Sequence, residues 1–187
     1  MCIAGFCLYK RQNNNHAQIS VREIPQQTVL YTIYRGRYYK IGSAINQLYA
    51  LAKEKGISTC GLASTCLLNS PIIETGNHQL IEIQIPVEDI AIEQSGMLGT
   101  MTDIKRVPAM RVAVAIKPEG YDDPTSILMD MFTWIDKEGY VVKGRMRQTI
   151  LNGCKGYYKN LRTEFLIPID KFNDKDFPVL MMDPCYM

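Results

Sequence analysis

The feature that most constrains this chain is an internal repeat, because residues in its first half recur in the same order in its second half. The pairs related by an offset of 83 positions are Ile24 and Val107, Pro25 and Pro108, Val29 and Val112, Ile33 and Ile116, Tyr38 and Tyr121, Gly56 and Gly139, and Gly61 and Gly144. Further along, Glu82-x-x-Ile85-Pro86 recurs as Glu164-x-x-Ile167-Pro168 with an offset of 82. A nearly constant offset over this length indicates that one module was duplicated. Two copies packed about a pseudo-twofold axis would create a cleft, with duplicated polar residues facing each other across it.

The repeat also predicts how the 187 residues are organised, in a chain long enough to bury a sizeable core. We expect one duplicated domain over residues 18–170, with a first repeat at 18–88, a linker at 89–100 and a second repeat at 101–170. An N-terminal arm (1–17) and a C-terminal tail (171–187) would flank this domain.

The hydrophobic pattern within each repeat predicts the order strand, helix, strand, strand. Apolar residues three or four positions apart indicate amphipathic helices at about 41–54 and 124–138. Alternating or β-branched stretches indicate strands within 19–34, where Pro25 interrupts the run, and at 57–68, 79–87, 101–117, 140–151 and 161–169. The predicted fold is therefore α+β: two tandem strand-helix-strand-strand modules, whose two antiparallel sheets form a central cleft with the helices on the outer faces.

Strand alternation predicts which way the duplicated glutamates point. Isoleucines alternate with Glu82 in its strand, and Phe165 and Ile167 flank Leu166 beside Glu164, so the apolar set packs on the helix in both repeats. Glu82, Glu164 and Leu166 then occupy the opposite face, where both carboxylates could line one cleft. The alternative is that each glutamate is merely solvated, which fits Glu164 less well because its apolar neighbour Leu166 implies a partly covered surface.

Aromatic residues are the second candidate element of a site. Tyr38 and Tyr121 are repeat-equivalent and lie where the first strand approaches the helix, so they could project over the cleft. Such rings attract cations by about 0.5–2 kcal/mol each. They could equally pack against the helices. Trp134 stands where the first repeat has Leu51, which favours a core position, although its larger ring could also extend one side of the cleft.

Other classes of function find little support in the composition. The six cysteines include no Cys-x-x-Cys pair and there are only two histidines, so we expect neither a metal nor a cofactor. A net charge of +2 without a basic run argues against direct nucleic-acid binding. Unpaired cysteines at irregular spacing, with neither a signal peptide nor a segment of membrane-spanning length, predict a cytoplasmic location away from the membrane.

The order of four short motifs resembles the GyrI-like small-molecule-binding family, which includes effector-binding domains of multidrug-responsive transcription regulators. These motifs are E-I-P at 23–25, G-x-Y at 36–38, a helix ending in KEKG at 53–56, and E-x-x-I-P-V at 82–87. The resemblance covers residues 18–170 in two copies. It implies an aromatic-walled pocket in which a buried glutamate receives hydrophobic, cationic aromatic ligands.

Carried onto this sequence, the resemblance assigns the family's pocket glutamate to Glu164, with Glu82 as its twin. Together with the residues above, the predicted ligand-binding set is Glu82, Glu164, Tyr38, Tyr121, Trp134 and Leu166. Because no helix-turn-helix segment is recognisable, we expect a stand-alone sensor or sequestering protein.

Two alternatives follow from the same resemblance. Some members of the family look like hydrolases that open strained cyclopropane rings in genotoxic compounds, and Glu164 would then act as acid or base. Others resemble inhibitors of DNA gyrase, so a protein partner, either gyrase or a separately encoded transcription regulator, is the second alternative.

Overall fold

A computed structural model of the chain describes residues 18–69, 78–117, 124–151 and 162–172. The predicted N-terminal arm and most of the predicted tail lie outside these residues. The strands and α-helices within them, in chain order, are β1 (Ser20–Ile24), β2 (Gln27–Arg35), α1 (Ile41–Glu54), β3 (Ser64–Leu67), β4 (Leu80–Val87), β5 (Thr102–Val107), β6 (Met110–Lys117), α2 (Pro124–Lys137), β7 (Tyr140–Val142), β8 (Arg147–Ile150) and β9 (Thr163–Lys171). Short 3-10 helices occupy Tyr38–Lys40 and Asp89–Gln94, the second of them in the predicted linker.

The predicted α+β architecture of two strand-helix-strand-strand modules is confirmed. The described strands run antiparallel in the order β1-β6-β9-β8-β3-β4-β2-β5, and β7 pairs with β9 outside this path. The two predicted antiparallel sheets are therefore the halves of one sheet, because β3 of the first repeat pairs with β8 of the second. Each face of the first half is therefore continuous with a face of the second half.

The pairing of β3 with β8 marks the pseudo-twofold axis of the duplication. Thr65 lies opposite Gln148, which is its own equivalent 83 positions later. The same operation exchanges the two flanking pairs: the pair Ser64–Thr149 takes the place of the pair Cys66–Arg147. The axis thus crosses the sheet between Thr65 and Gln148.

The first strand of each repeat is broken at the duplicated proline. The strand expected over 101–117 is two strands, β5 and β6, that are separated at Pro108, and Pro25 separates β1 from β2 in the same way. A proline has no N–H to donate to a strand ladder, so the chain turns there. The two parts then join different halves: β1 pairs with β6 of the second repeat, while β5 pairs with β2 of the first. The first strand of each repeat, β1 or β5, therefore belongs to the half of the sheet that the other repeat forms.

Two further strand predictions are too long. Within 57–68 only β3 forms a ladder, together with an isolated bridge between Thr59 and Val87. The strand expected over 140–151 is two short strands, β7 and β8, separated by residues 143–146. Outside the ladder the backbone of both stretches is irregular, with one bend in each, at Gly61 and at Gly144.

The helices form as the apolar spacing predicts, and each covers its own half of the sheet. In α1 the buried residues are Ile41, Ile45, Leu48 and Ala52; in α2 they are Ile127, Met131 and Ile135. They pack against Ile81, Ile83 and Ile85 of β4 and against Phe165, Ile167 and Ile169 of β9, respectively. Truncating such buried side chains to alanine typically costs about 2–5 kcal/mol.

The register across the middle of the sheet defines two faces. The helix face carries both helices, and its central row is Ile83, Thr65, Gln148 and Phe165. The open face is the opposite one, and its central row is Glu82, Cys66, Arg147 and Leu166. Side chains of successive strand residues point to opposite faces, so these two rows cannot contribute to the same pocket.

Candidate ligand-binding cleft

A cleft of about 340 Å³ lies on the helix face where the two repeats meet. Its lining comes from both repeats: Tyr38, Thr65, Leu67, Gln79, Lys117, Met146, Gln148, Ile150, Thr163 and Phe165. Two of its residues, Thr65 and Gln148, are the pair on the pseudo-twofold axis. The duplication thus places this cleft at the centre of the molecule.

The helix-face cleft combines apolar walls with polar groups, and two of these groups, on Thr65 and Gln148, lie on the axis. Leu67 and Ile150 are repeat-equivalent, and Met146 and Phe165 extend the apolar lining in the second repeat. The Tyr38 hydroxyl donates a hydrogen bond of 2.5 Å to Gln148 Oε1. Thr65 Oγ1 donates to the Gln148 carbonyl at 3.4 Å. A mainly apolar cavity with a few convergent polar groups is typical of small-molecule sites.

Local backbone structure presents Tyr38 to the cleft. The 3-10 helix Tyr38–Lys40 directly precedes α1, and the Tyr38 backbone N–H donates to Gln79 Oε1 at 3.2 Å. Gly36 N–H donates to the Gln79 carbonyl at 3.0 Å, so the turn before the helix is tied to the start of β4. These contacts fix the ring between the two repeats.

Glu82 lies on the open face at one end of a chain of hydrogen bonds. Its Oε1 accepts from Lys105 Nζ at 2.7 Å and from the Gln84 amide. The buried Gln84 in turn accepts from Arg147 Nη1 at 3.1 Å. Glu82, Gln84 and Arg147 line a second, larger cavity of about 690 Å³. Lys105 also lies 4.3 Å from the centre of the Tyr31 ring.

Glu164 also lies on the open face, but it lines neither cavity. Its Oε1 accepts from Arg22 Nη2 at 2.8 Å, and the residue is buried with only 8% of its surface exposed. Leu166, two residues further on, packs with Val112 and Val114 in a small apolar cluster. The partly covered surface that Leu166 predicted beside Glu164 is therefore present.

The structure does not bring the predicted ligand-binding residues together in one pocket. Tyr38 lines the helix-face cleft, whereas Glu82, Glu164 and Leu166 belong to the opposite face. Trp134 stacks on Tyr140 with ring centres 5.9 Å apart and packs against the core under α2. Tyr121 lies outside the described residues. The separation follows from the edge-to-edge joining of the two halves, which leaves both glutamates on the face away from the helices.

Four residues that shape the two faces were missed by the sequence analysis. Arg22 and Lys105 pair with the two glutamates, and their common offset of 83 positions was a usable signal. Gln148 was detectable only as the equivalent of Thr65. Ala113, Ala115 and Lys117 are alternate residues of β6 and share the helix face. A charged residue at the end of this apolar series was a signal for Lys117.

Cys66 occupies the open face between Glu82 and Arg147. Burial raises the pKa of its thiol above the ordinary value of 9.0, an effect that the positive charge of Arg147 opposes. The reactive thiolate is therefore disfavoured at neutral pH. Within the described residues, no three histidine, cysteine, aspartate or glutamate side chains cluster as a metal site would require. In the same part of the chain, no helix has the length and apolar character needed to cross a membrane.

Comparison with known proteins identifies the family. The model of the GyrI-like small molecule binding domain matches residues 18–170, so the chain belongs to this family. The resemblance inferred from the short motifs is thus confirmed. Comparison with curated protein sequences gave no significant match.

Solved structures with a similar fold include EcmrR and a hydrolase. The EcmrR C-terminal domain superposes with a TM-score of 0.66 at 18% identity, covering 83% of this chain and 99% of that chain. EcmrR in its complex with DNA gives a TM-score of 0.69 at 16% identity; 84% of this chain is covered, but it spans only 59% of the EcmrR chain. A hydrolase from Listeria innocua gives 0.61 at 12% identity, covering 82% of this chain and 92% of that chain. At these identities the likeness shows a shared fold.

Proposed function

We propose that the chain binds flat hydrophobic small molecules in the helix-face cleft and acts as a sensor or sequestering protein for them. The observation that carries this proposal is the cleft itself, about 340 Å³ of space on the pseudo-twofold axis with apolar walls. This volume lies within the range of roughly 300–1,000 Å³ that is usual for ligand pockets. Membership of a small-molecule-binding family supports the same conclusion.

The contacts in the cleft suggest how a ligand would be held. The apolar side chains Leu67, Ile150 and Met146 would cover the faces of an aromatic body. The Tyr38–Gln148 hydrogen bond lies in the same lining, so a ligand with one polar group can exchange it for bonds of its own. Burial of the apolar surface supplies the affinity, and the polar pair supplies orientation.

The charge of the lining bears on the kind of ligand. The buried Lys117 is the charged residue of the described lining, and the two glutamates lie on the opposite face, bonded to Arg22 and Lys105. A cation has no carboxylate to meet among these lining residues. We therefore infer that neutral aromatic compounds bind more tightly than the cationic ones predicted from the sequence.

A titration with two dyes tests the proposal. Nile red is neutral and hydrophobic, whereas rhodamine 6G is a hydrophobic cation, and both report binding by fluorescence. Leu67→Trp should fill the cleft and weaken Nile red binding at least about tenfold. Leu62→Trp is the matched control, because Leu62 is an exposed leucine outside the cleft. Equal affinity of both variants for Nile red would overturn the proposal.

The charge preference has its own test. Lys117→Met removes the cation at similar length, so rhodamine 6G should bind more tightly to this variant while Nile red is little affected. Lys53→Met is the control, since Lys53 is exposed at the end of α1. Stronger binding of rhodamine 6G than of Nile red to the unmodified protein would contradict a neutral preference.

The geometry lends less support to the hydrolase alternative at the predicted residue. Glu164 accepts a hydrogen bond from Arg22 and lines neither cavity, whereas an acid or base must come within hydrogen-bonding reach of its substrate. Mass spectrometry of dye or cyclopropane-bearing compounds after incubation tests for turnover. A product that is lost in Glu164→Gln would favour the enzyme.

A further inference from the structure

We propose that a groove beside α1 is a second ligand site, a receptor for a small planar aromatic compound with a ring N–H donor, such as an indole. The groove has a volume of about 260 Å³ and lies between α1, β2 and the start of β5. Its lining includes Thr32 and Thr102 of the strands and Leu48 and Leu51 of the helix. It shares no lining residue with the helix-face cleft, so the two sites are separate.

The groove lies where β2 runs on beyond β5. The ladder between these two strands ends at the pair Thr32–Thr102, while β2 continues to Arg35. The side of α1 that borders this step in the sheet carries Leu48, which is buried, and Leu51, which is half-buried. The helix therefore supplies an apolar wall, and the two threonines supply polar groups at the strand side.

Comparison of the two repeats shows that the second one has larger apolar side chains at two positions of this groove. The counterpart of Leu51, 83 positions later, is Trp134, and the counterpart of Thr102, 83 positions earlier, is Ile19. Both Trp134 and Ile19 pack against the hydrophobic core of the second repeat. The first repeat holds fewer apolar atoms of its own here. An aromatic ring supplied by a ligand would take their place, and its burial would supply the affinity.

A chain of hydrogen bonds at the strand side fixes which polar group a ligand must bring. The Met101 carbonyl can only accept, so the Thr32 hydroxyl donates to it at 3.1 Å. Thr32 has then used its proton, so the Thr102 hydroxyl donates to Thr32 Oγ1 at 2.9 Å. The single hydroxyl proton of Thr102 is thereby committed, and its oxygen can only accept from a further partner.

The apolar wall and the accepting oxygen together select the class of ligand. An indole can lay its flat ring against Leu48 and Leu51 while its N–H donates to Thr102 Oγ1. A carbonyl, ether or carboxylate oxygen at the same place would face another acceptor with no proton between them, which leaves both groups without a hydrogen bond. We therefore expect aromatic donors to be preferred over isosteric compounds that lack the N–H.

Two fluorinated probes test the donor requirement. Fluoroindole carries the ring N–H, its N-methyl derivative does not, and fluorine NMR measures the affinity of each. We expect the unmodified protein to bind fluoroindole about fivefold more tightly, which corresponds to one hydrogen bond. Thr102→Val keeps the shape of the side chain and removes the acceptor, so it should abolish this preference by weakening fluoroindole alone. Thr102→Ser retains the hydroxyl and should retain the preference.

Filling the groove tests its position. Leu51→Trp gives the first repeat the residue type that the second repeat has at the equivalent position, and it should weaken both probes at least about tenfold. Leu62→Trp is the matched control, because Leu62 is an exposed leucine outside the groove. Thermal unfolding of each variant checks that the fold is retained.

The outcomes separate the groove from the helix-face cleft. A preference for fluoroindole that survives in Leu67→Trp and is lost in Thr102→Val places the donor site in the groove. A preference that persists in Thr102→Val, or that is lost in Leu67→Trp alone, would overturn the proposal. Equal affinity of the unmodified protein for the two probes, or no binding of fluoroindole, would overturn it as well.

Discussion

Arg22 and Lys105 are equivalent residues of the two repeats, and each forms an ion pair with the glutamate of the other repeat. Arg22 Nη2 lies 2.8 Å from Glu164 Oε1, and Lys105 Nζ lies 2.7 Å from Glu82 Oε1. Both pairs arise because β1 and β5 are exchanged between the halves. The glutamate side chains are only 11% and 12% exposed, so each cation offsets the cost of taking a carboxylate out of water.

Removing one of these cations should destabilise the fold. We expect Arg22→Met to lower the free energy of unfolding by about 1–3 kcal/mol, because the buried Glu164 carboxylate loses its ionic partner. Urea denaturation followed by circular dichroism measures the change. Adding Glu164→Gln to Arg22→Met should restore part of the loss, since an amide needs no cation.

The exposed pair between Arg111 and Glu23 supplies the control for that prediction. The Glu23 side chain is 64% exposed, against 11% for Glu164, so Arg111→Met should change the free energy of unfolding by less than about 1 kcal/mol. Losses of the same size in Arg22→Met and Arg111→Met would show that burial of the glutamate does not matter.

The glycines that end the two helices should be equally sensitive to a side chain. Gly56 and Gly139 are repeat-equivalent and both have φ of +68°, with open space around the position of a Cβ atom. The backbone angle alone therefore penalises alanine, and each Gly→Ala change should cost about 1 kcal/mol. Chemical denaturation tests this, and Gly56→Asn should cost less because asparagine tolerates the left-handed region. A stability gain in Gly56→Ala would contradict the assigned helix end.

Tyr38→Phe should separate the polar and apolar contributions to the helix-face cleft. The change removes the 2.5 Å hydrogen bond to Gln148 and keeps the ring, so we expect a loss of about 1 kcal/mol in unfolding free energy. The affinity for Nile red, which depends mainly on apolar contact, should change less than threefold. A large loss of affinity with unchanged stability would instead make the hydroxyl a direct ligand contact.

Cys66 should be the less reactive of the two described cysteines. Burial raises the pKa of its thiol above 9.0, whereas Cys60 is exposed. Iodoacetamide labelling at pH 8, read by peptide mass spectrometry, should modify Cys60 well before Cys66, since only the thiolate reacts. Denaturant should abolish the difference. Faster labelling of Cys66 in the folded protein would contradict its burial.

The same raised pKa predicts a pH dependence of stability with a defined sign. The folded state holds the Cys66 proton more tightly than the unfolded state, so this contribution to stability is complete below pH 9. It is lost as the pH rises from 9 through the higher folded-state pKa. The unfolding free energy of the unmodified protein should therefore fall more steeply above pH 9 than that of Cys66→Ala. Identical slopes would show that the thiol does not titrate differently on folding.

Much of the local structure could be predicted from the sequence because it depends on short-range patterns. The spacing of Ile41, Ile45 and Leu48 gave the span of α1, and Gly56 marked its end. Alternation around Glu82 and Glu164 gave the face on which each carboxylate lies, as the burial of Ile83 and Phe165 on the helix side shows. These signals are read within one turn or one strand.

The candidate site could not be predicted in the same way. Tyr38 and Glu82 belong to the same repeat, yet they border different cavities, because the two halves join at β3 and β8 instead of facing each other. Stacking of Trp134 on Tyr140 likewise depends on where β7 lies against α2. No pattern within a single element encodes either arrangement.

By itself, the sequence determined the duplication, the helices, the faces of the strands and the family, because each depends on residue types at fixed spacings. Only the tertiary structure decided that Pro25 and Pro108 divert the first strands into opposite halves, and that Thr65 meets Gln148 on the axis. Pairing of distant strands is settled by competition among all the backbone hydrogen bonds that the whole chain can form. The resulting strand order places the apolar cleft on the helix face and the two ion-paired glutamates on the open face.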